Sequence, residues 1–218
     1  MRRTVRATLR DALPAALVAL VPAAAVAGWT AWVLRQVDAI EREIKPLGGL
    51  AYATFVQLAH NWAAGAGWVQ TVHRGYAEDW RWGGHYAPVL FASSWLASFS
   101  DSPWALARVQ VVAVGLGGLA AWKLGRAEAG LLGGAVGLAL YLGSGPAVLL
   151  ALADYQDLVF VLPLLPLAVW AARHATAPVF VLAAAALGAA REEALLLLPI
   201  VGLAGGAPHT LPGAAVTA

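Results

Sequence analysis

The 218-residue chain is 61% hydrophobic and 12% charged, with a formal net charge of +2 and no cysteine. Soluble domains hold about 45–50% apolar and about 25% charged residues, so this composition, with a mean hydropathy of +0.71, excludes a soluble domain and indicates a polytopic membrane protein. The absent thiols exclude disulfides and thiolate metal sites, and without a basic stripe carrying interleaved aromatics no nucleic-acid partner is expected.

Lipid offers no water to backbone groups, so the spans must be helices or a closed barrel. Long Ala/Leu/Val/Gly runs without period-two alternation select helices, hence an all-α transmembrane bundle in the lipid bilayer. The apolar stretch 13–34 is too long for a secretory h-region and long enough to span. It reads as a retained first helix behind Arg2, Arg3, Arg6 and Arg10. The positive-inside rule then sets the N-terminus in the cytoplasm of an inner or plasma membrane. Residues 35–49 continue that helix out of the membrane until Pro46, Gly48 and Gly49 stop it.

Residues 35–100 form a large outer loop. Within it, residues 50–62 are apolar with Gln57, His60 and Asn61 interleaved, which suits a helix lying on the membrane surface. Residues 86–99 are too short to cross and read as a re-entrant or interfacial helix. Ser100-Asp101-Ser102-Pro103 marks the next helix start, with Asp101 or Ser102 as N-cap. Further spans are expected at about 104–122, 130–142, 158–172, 178–190 and 194–204. Gly130, Gly133, Gly134 and Gly137 give the second of these a face for close helix packing. On this count Lys123, Arg126 and Arg173 fall inside with the N-terminal arginines, and most acids fall outside.

Three polar clusters thereby share the outer side: the loop 55–88, Asp154 with Asp157, and Arg191-Glu192-Glu193. The loop alone holds His60, His73 and His85, four tryptophans, and the acid pair Glu78 and Asp79. Ionisable groups at membrane depth cost about 2.5–3.5 kcal/mol each on insertion scales, which makes such clusters functional candidates. Each has a plainer reading. His85 would cap a helix, Glu78 and Asp79 would be solvated charges, and Asp154 would be the N-cap of the following helix. Arg191 beside two glutamates would be self-neutralised, or would bind phosphate through its fork of donors. The histidines show no recognised metal spacing, so no metal ligand is assigned; a divalent metal is left open and no other cofactor is expected.

The order of Phe55-x-Gln57, Gly65, His85-Tyr86-Ala87-Pro88, Asp154-Tyr155-Gln156 and Arg191-Glu192-Glu193 resembles the domain-of-unknown-function 2079 family of membrane proteins. That family in turn resembles the GT-C glycosyltransferases, such as protein mannosyltransferases and aminoarabinose transferases. The resemblance implies a GT-C-like bundle with juxtamembrane helices in its first outer loop. It implies transfer of a sugar from a polyprenyl-phosphate donor at the outer leaflet. The implied catalytic set is Asp79, Glu78, Asp154 and His85. The implied substrate-binding set is Gln57, Gln156, Asp157, Arg191, Glu192 and Glu193, with Arg191 on the lipid phosphate. Two positions depart from the pattern: the acid expected before Phe55 is Ala51, and the Asp-x-His is Asp154-Tyr155-Gln156. The departures leave a non-catalytic subunit, binding lipid or polymer, as the alternative. The chain is also shorter than GT-C enzymes, so a truncated member is expected.

Overall fold

Without solvent to complete its hydrogen bonds, a chain of this composition must pair its backbone locally, and it does so with helices. The computed structural model describes residues 2–43, 50–67, 88–100, 102 and 104–204. The helices are α1 (Arg2–Glu43), α2 (Leu50–Ala63), α3 (Val89–Ala97), α4 (Ala105–Leu142), α5 (Gly145–Leu152), α6 (Val161–His174), α7 (Ala177–Ala190) and α8 (Leu198–Ala204). Two 3-10 segments, Asp157–Phe160 and Glu192–Leu197, lead into α6 and α8. No strand occurs among the described residues. This is an all-α polytopic membrane protein, in which Val18–Ile40, Ala105–Leu142 and Asp157–His174 are long and apolar enough to cross a bilayer.

The α4 segment is in fact a helical hairpin. Ala129 (φ −140°, ψ 28°) and Gly130 (φ 66°, ψ −155°) leave the helical region, and the positive φ at Gly130 is one that glycine adopts without a Cβ penalty. The chain reverses there, so that arm 105–128 packs antiparallel on arm 131–142. Gly125 lies against the Gly133 carbonyl and Gly137 against the Ala121 carbonyl, where a Cβ on Gly137 would sit 2.7 Å from oxygen. Higher up, Gly117 accommodates Tyr141 and the Pro163 backbone of α6. Small residues let the backbones approach, and dispersion between them replaces the hydrophobic drive that lipid cannot supply.

Around this hairpin α1 packs on one side and α6 on the other, with α7 and α8 against α6. One core gathers Val33, Val37, Val111, Val114, Ala147 and Val159, and a second gathers Ala168, Ala171, Leu187 and Val201. The bundle has two polar ends. At one, the Glu128 carboxylate receives Arg173 Nε at 2.9 Å and His174 Nε2 at 2.7 Å, and Lys123 Nζ sits 3.5 Å above the Trp170 ring. At the other, Arg108 Nη2 reaches Asp38 Oδ1 at 3.1 Å, joining α1 to the start of α4.

Helix α4 begins at Ala105 behind Trp104, without a side-chain cap on that position. Ser102 Oγ accepts the Trp104 N–H at 3.2 Å, while Asp101 and Pro103 lie outside the described residues.

The hairpin makes a testable demand. Gly125→Val should destabilise the protein by about 1–3 kcal/mol by forcing the two arms apart. Gly28→Ala, in α1 with nothing within 4 Å of the new methyl, should be neutral or stabilising by up to about 1 kcal/mol. Thermal unfolding of both variants in the same detergent checks the contrast, and equal losses would contradict the packing.

Candidate functional site

The polar end marked by Asp38 and Arg108 is built from chain that leaves the helical ladder. Helix α5 starts on Ser144, whose Oγ accepts the Ala147 N–H at 3.2 Å, and it stops at Ala153, which is extended. A helix end leaves carbonyls without partners, and here a side chain from α4 meets them. Gln110 is fully buried. Its Nε2 donates to Leu150 O at 2.7 Å and to Ala153 O at 3.1 Å, and its Oε1 accepts the Gln156 N–H at 3.0 Å.

Tyr155, also fully buried, is locked between these points. Its hydroxyl shares a 2.5 Å hydrogen bond with Ser93 Oγ of α3. Its ring meets Phe55 of α2 edge-on at 5.3 Å and leans on Phe160 at 6.0 Å. Burial holds the phenol above the ordinary tyrosine range, and the Asp157 charge pushes the same way against the Ser93 bond. The hydroxyl is therefore a neutral structural group. The connection 153–156 is thus tied to α2, α3 and α4 at once.

Asp157 is 6% exposed. Its Oδ1 accepts the Leu158 N–H at 2.8 Å and lies 3.7 Å from Arg191 Nη1. Arg191, at the end of α7, also donates through Nε to Glu193 Oε2 at 2.9 Å. Two of the polar clusters, separated by over thirty residues, therefore meet through one guanidinium.

Asp154 behaves differently. It is half-buried, and among the described residues its carboxylate makes no hydrogen bond or ion pair. It caps no helix: the 3-10 turn Asp157–Phe160 has Gln156 at its N-cap and α6 has Phe160. The capping role open to Asp154 on sequence is thereby corrected, since Asp154 lies two residues before the N-cap position. Gln156 is exposed, and its N–H is its contribution to the fold.

Beside this end, between α2 and the facing ends of α3 and α4, lies a groove of about 910 Å³. Gln57, His60, Ser98, Ser100 and Ser102 give it polar points on a floor of alanines with Val56 and Leu106. Glu78, Asp79, His73 and His85 lie outside the described residues. Among the described residues no three His, Cys, Asp or Glu side chains gather as a metal site.

The model of a family described as a predicted membrane protein (DUF2079) matches residues 46–205. The chain belongs to this family. The matched DUF2079 region contains every contact of the site just described, apart from the brace that Asp38 places on Arg108. No curated protein and no solved structure matches the chain.

Sequence reading of this DUF2079 member missed Gln110 and Ser93. Both are polar residues in membrane-grade helices, and that contrast is the signal by which they are found. The pairing of Arg191 with Asp157 yields an expectation. Arg191→Ala leaves a buried carboxylate without its cation and should cost about 2 kcal/mol or more. Glu193→Ala removes the exposed partner and should cost under about 1 kcal/mol. Unfolding midpoints of the two variants decide the ranking; a larger loss for Glu193→Ala would reverse it.

Proposed function

We propose that this membrane protein is a GT-C-like glycosyltransferase, moving a sugar from a polyprenyl-phosphate donor to an acceptor hydroxyl at the outer leaflet. The observation that carries the reading is the division of labour between two aspartates three residues apart. Asp157 is committed to Arg191 and to its own backbone, whereas Asp154 has its oxygens open among the described residues. A base must have a lone pair available within hydrogen-bond reach of the proton that it takes. The unpaired carboxylate of Asp154 suits that role better than the Arg191-paired carboxylate of Asp157.

In this reading Asp154 accepts the proton as the acceptor oxygen bonds to the anomeric carbon. The bond from that carbon to the phosphate oxygen breaks, and polyprenyl phosphate leaves. Arg191 would steady the leaving phosphate through its guanidinium, beside its pairs with Asp157 and Glu193. Gln57 would bind substrate from the groove wall. Glu78, Asp79 and His85 keep the catalytic roles that the resemblance implies, and Gln156, Glu192 and Glu193 keep their binding roles. The outward direction rests on the positive-inside rule, with Lys123, Arg126, Arg173 and the N-terminal arginines on the cytoplasmic side.

A second reading has its own support. Arg191 already carries two carboxylate neighbours, which weakens its call on a phosphate, and Ala51 stands where the resembled enzymes have an acid. A non-catalytic subunit binding lipid or polymer would tolerate both.

The two part on one variant. Asp154→Asn should lower sugar transfer by about 10²–10⁴-fold with membrane insertion and unfolding midpoint unchanged. Transfer from radiolabelled polyprenyl-phosphate sugar in proteoliposomes is the measurement. Transfer at the wild-type rate would remove Asp154 from the chemistry. Lipid binding retained in an Asp154→Ala, Arg191→Ala double variant would favour the subunit.

A further inference from the structure

We infer that Gln110 is a positioning residue for Asp154, a role that rests on the transferase reading above. Asp154 is not held by its own side chain. Its carboxylate has no partner among the described residues, so nothing at the tip of the side chain fixes where it points. Its position is set by the backbone on either side, and both sides end on the same amide. The Ala153 carbonyl, immediately before Asp154, accepts from Gln110 Nε2. The Gln156 N–H, two residues after it, donates to Gln110 Oε1. Between them Tyr155 is held by Ser93 and by the Phe55 ring.

The side-chain type matters. The task needs two donors for two carbonyls and an acceptor for one N–H, all without charge in a buried place. Only a carboxamide supplies that set, and asparagine is one methylene shorter. A leucine or methionine would fill the space and leave three backbone groups unpaired, which an apolar interior does not tolerate. The connection would then have to move to find partners, carrying Asp154 with it. Misplacement of a reacting group by about 1 Å can lower a rate by about 10²-fold.

A mere packing role would also bury Gln110, so the test reads the backbone and the chemistry separately. In wild type reconstituted in nanodiscs, the Gln156 amide should exchange with solvent deuterium at least about tenfold more slowly than unbonded amides. Its side chain is exposed, so slow exchange reports the bond to Gln110. In Gln110→Met that protection should vanish while the amides of Ala168, Ala171 and Ala172, in the second core, exchange as before. Per folded protein, kcat for sugar transfer should fall by about tenfold or more with the donor KM unchanged.

An unprotected Gln156 amide in wild type would overturn the proposal without any variant. So would Gln110→Met that exchanges as wild type at Gln156, or that loosens the whole bundle equally. A loosened connection with kcat unchanged would overturn the positioning role as well. Wild type that moves no sugar would instead defeat the transferase reading, and the exchange measurements would still decide whether Gln110 holds the connection.

Discussion

A carbonyl at the end of a helix normally turns to water, and inside an apolar bundle it must turn to protein. The polar end of this molecule depends on how that requirement is met at Leu150 and Ala153. Gln110 reaches across from the first arm of α4 and closes both, then accepts from Gln156. Without that amide the chain between α5 and α6 would have no reason to take one path. With it, Tyr155 is delivered into its slot between α2 and α3, and Asp157 is delivered to Arg191. Three hydrogen bonds of one side chain thus tie the first arm of α4 to the end of α5 and to the connection that leads into α6.

The same constraint recurs where the second arm of α4 gives way to α5. At Leu142 the ladder breaks, and the Trp29 indole of α1 donates to the Leu142 carbonyl at 2.9 Å. Ser144 completes the repair, donating to Tyr141 O at 2.8 Å and accepting from Ala147 N. Irregular backbone at membrane depth is tolerated only where protein supplies such partners. The Trp29 indole is therefore a backbone bond donor within the bundle.

Much of the fold was legible because membrane helices announce themselves by composition. Long apolar runs, the proline and glycine breaks, and basic residues at alternate ends sufficed for an all-α membrane protein. The continuation of the first helix through residues 35–43 was read correctly, because nothing in the stretch up to Glu43 breaks a helix. Other boundaries were less legible. Helix α6 is preceded by a 3-10 turn, which hydropathy does not register. At the site, Asp154, Asp157 and Arg191 stood out as charges in apolar surroundings, but their different engagement did not. That difference arises from tertiary contacts: which carboxylate meets Arg191 depends on how α7 approaches the connection. Gln110 was passed over because one neutral amide in an apolar helix resembles a tolerated impurity until its partners are known.

The turn at Ala129 and Gly130 has a consequence for how the molecule is made. Two residues are too few to be threaded through a membrane as a separate loop, so the arms of α4 enter the bilayer together as a wedge. Whichever compartment receives the tip, Lys123, Arg126 and Glu128 arrive there with it, and both outer ends of the wedge, with Gln110 near one of them, must face the other way. Arg173 and His174 can then reach Glu128 only if α6 ends on the tip's side. The reversal thus fixes the tip's charges and the Gln110 end on opposite sides of the bundle, whichever way the bundle faces.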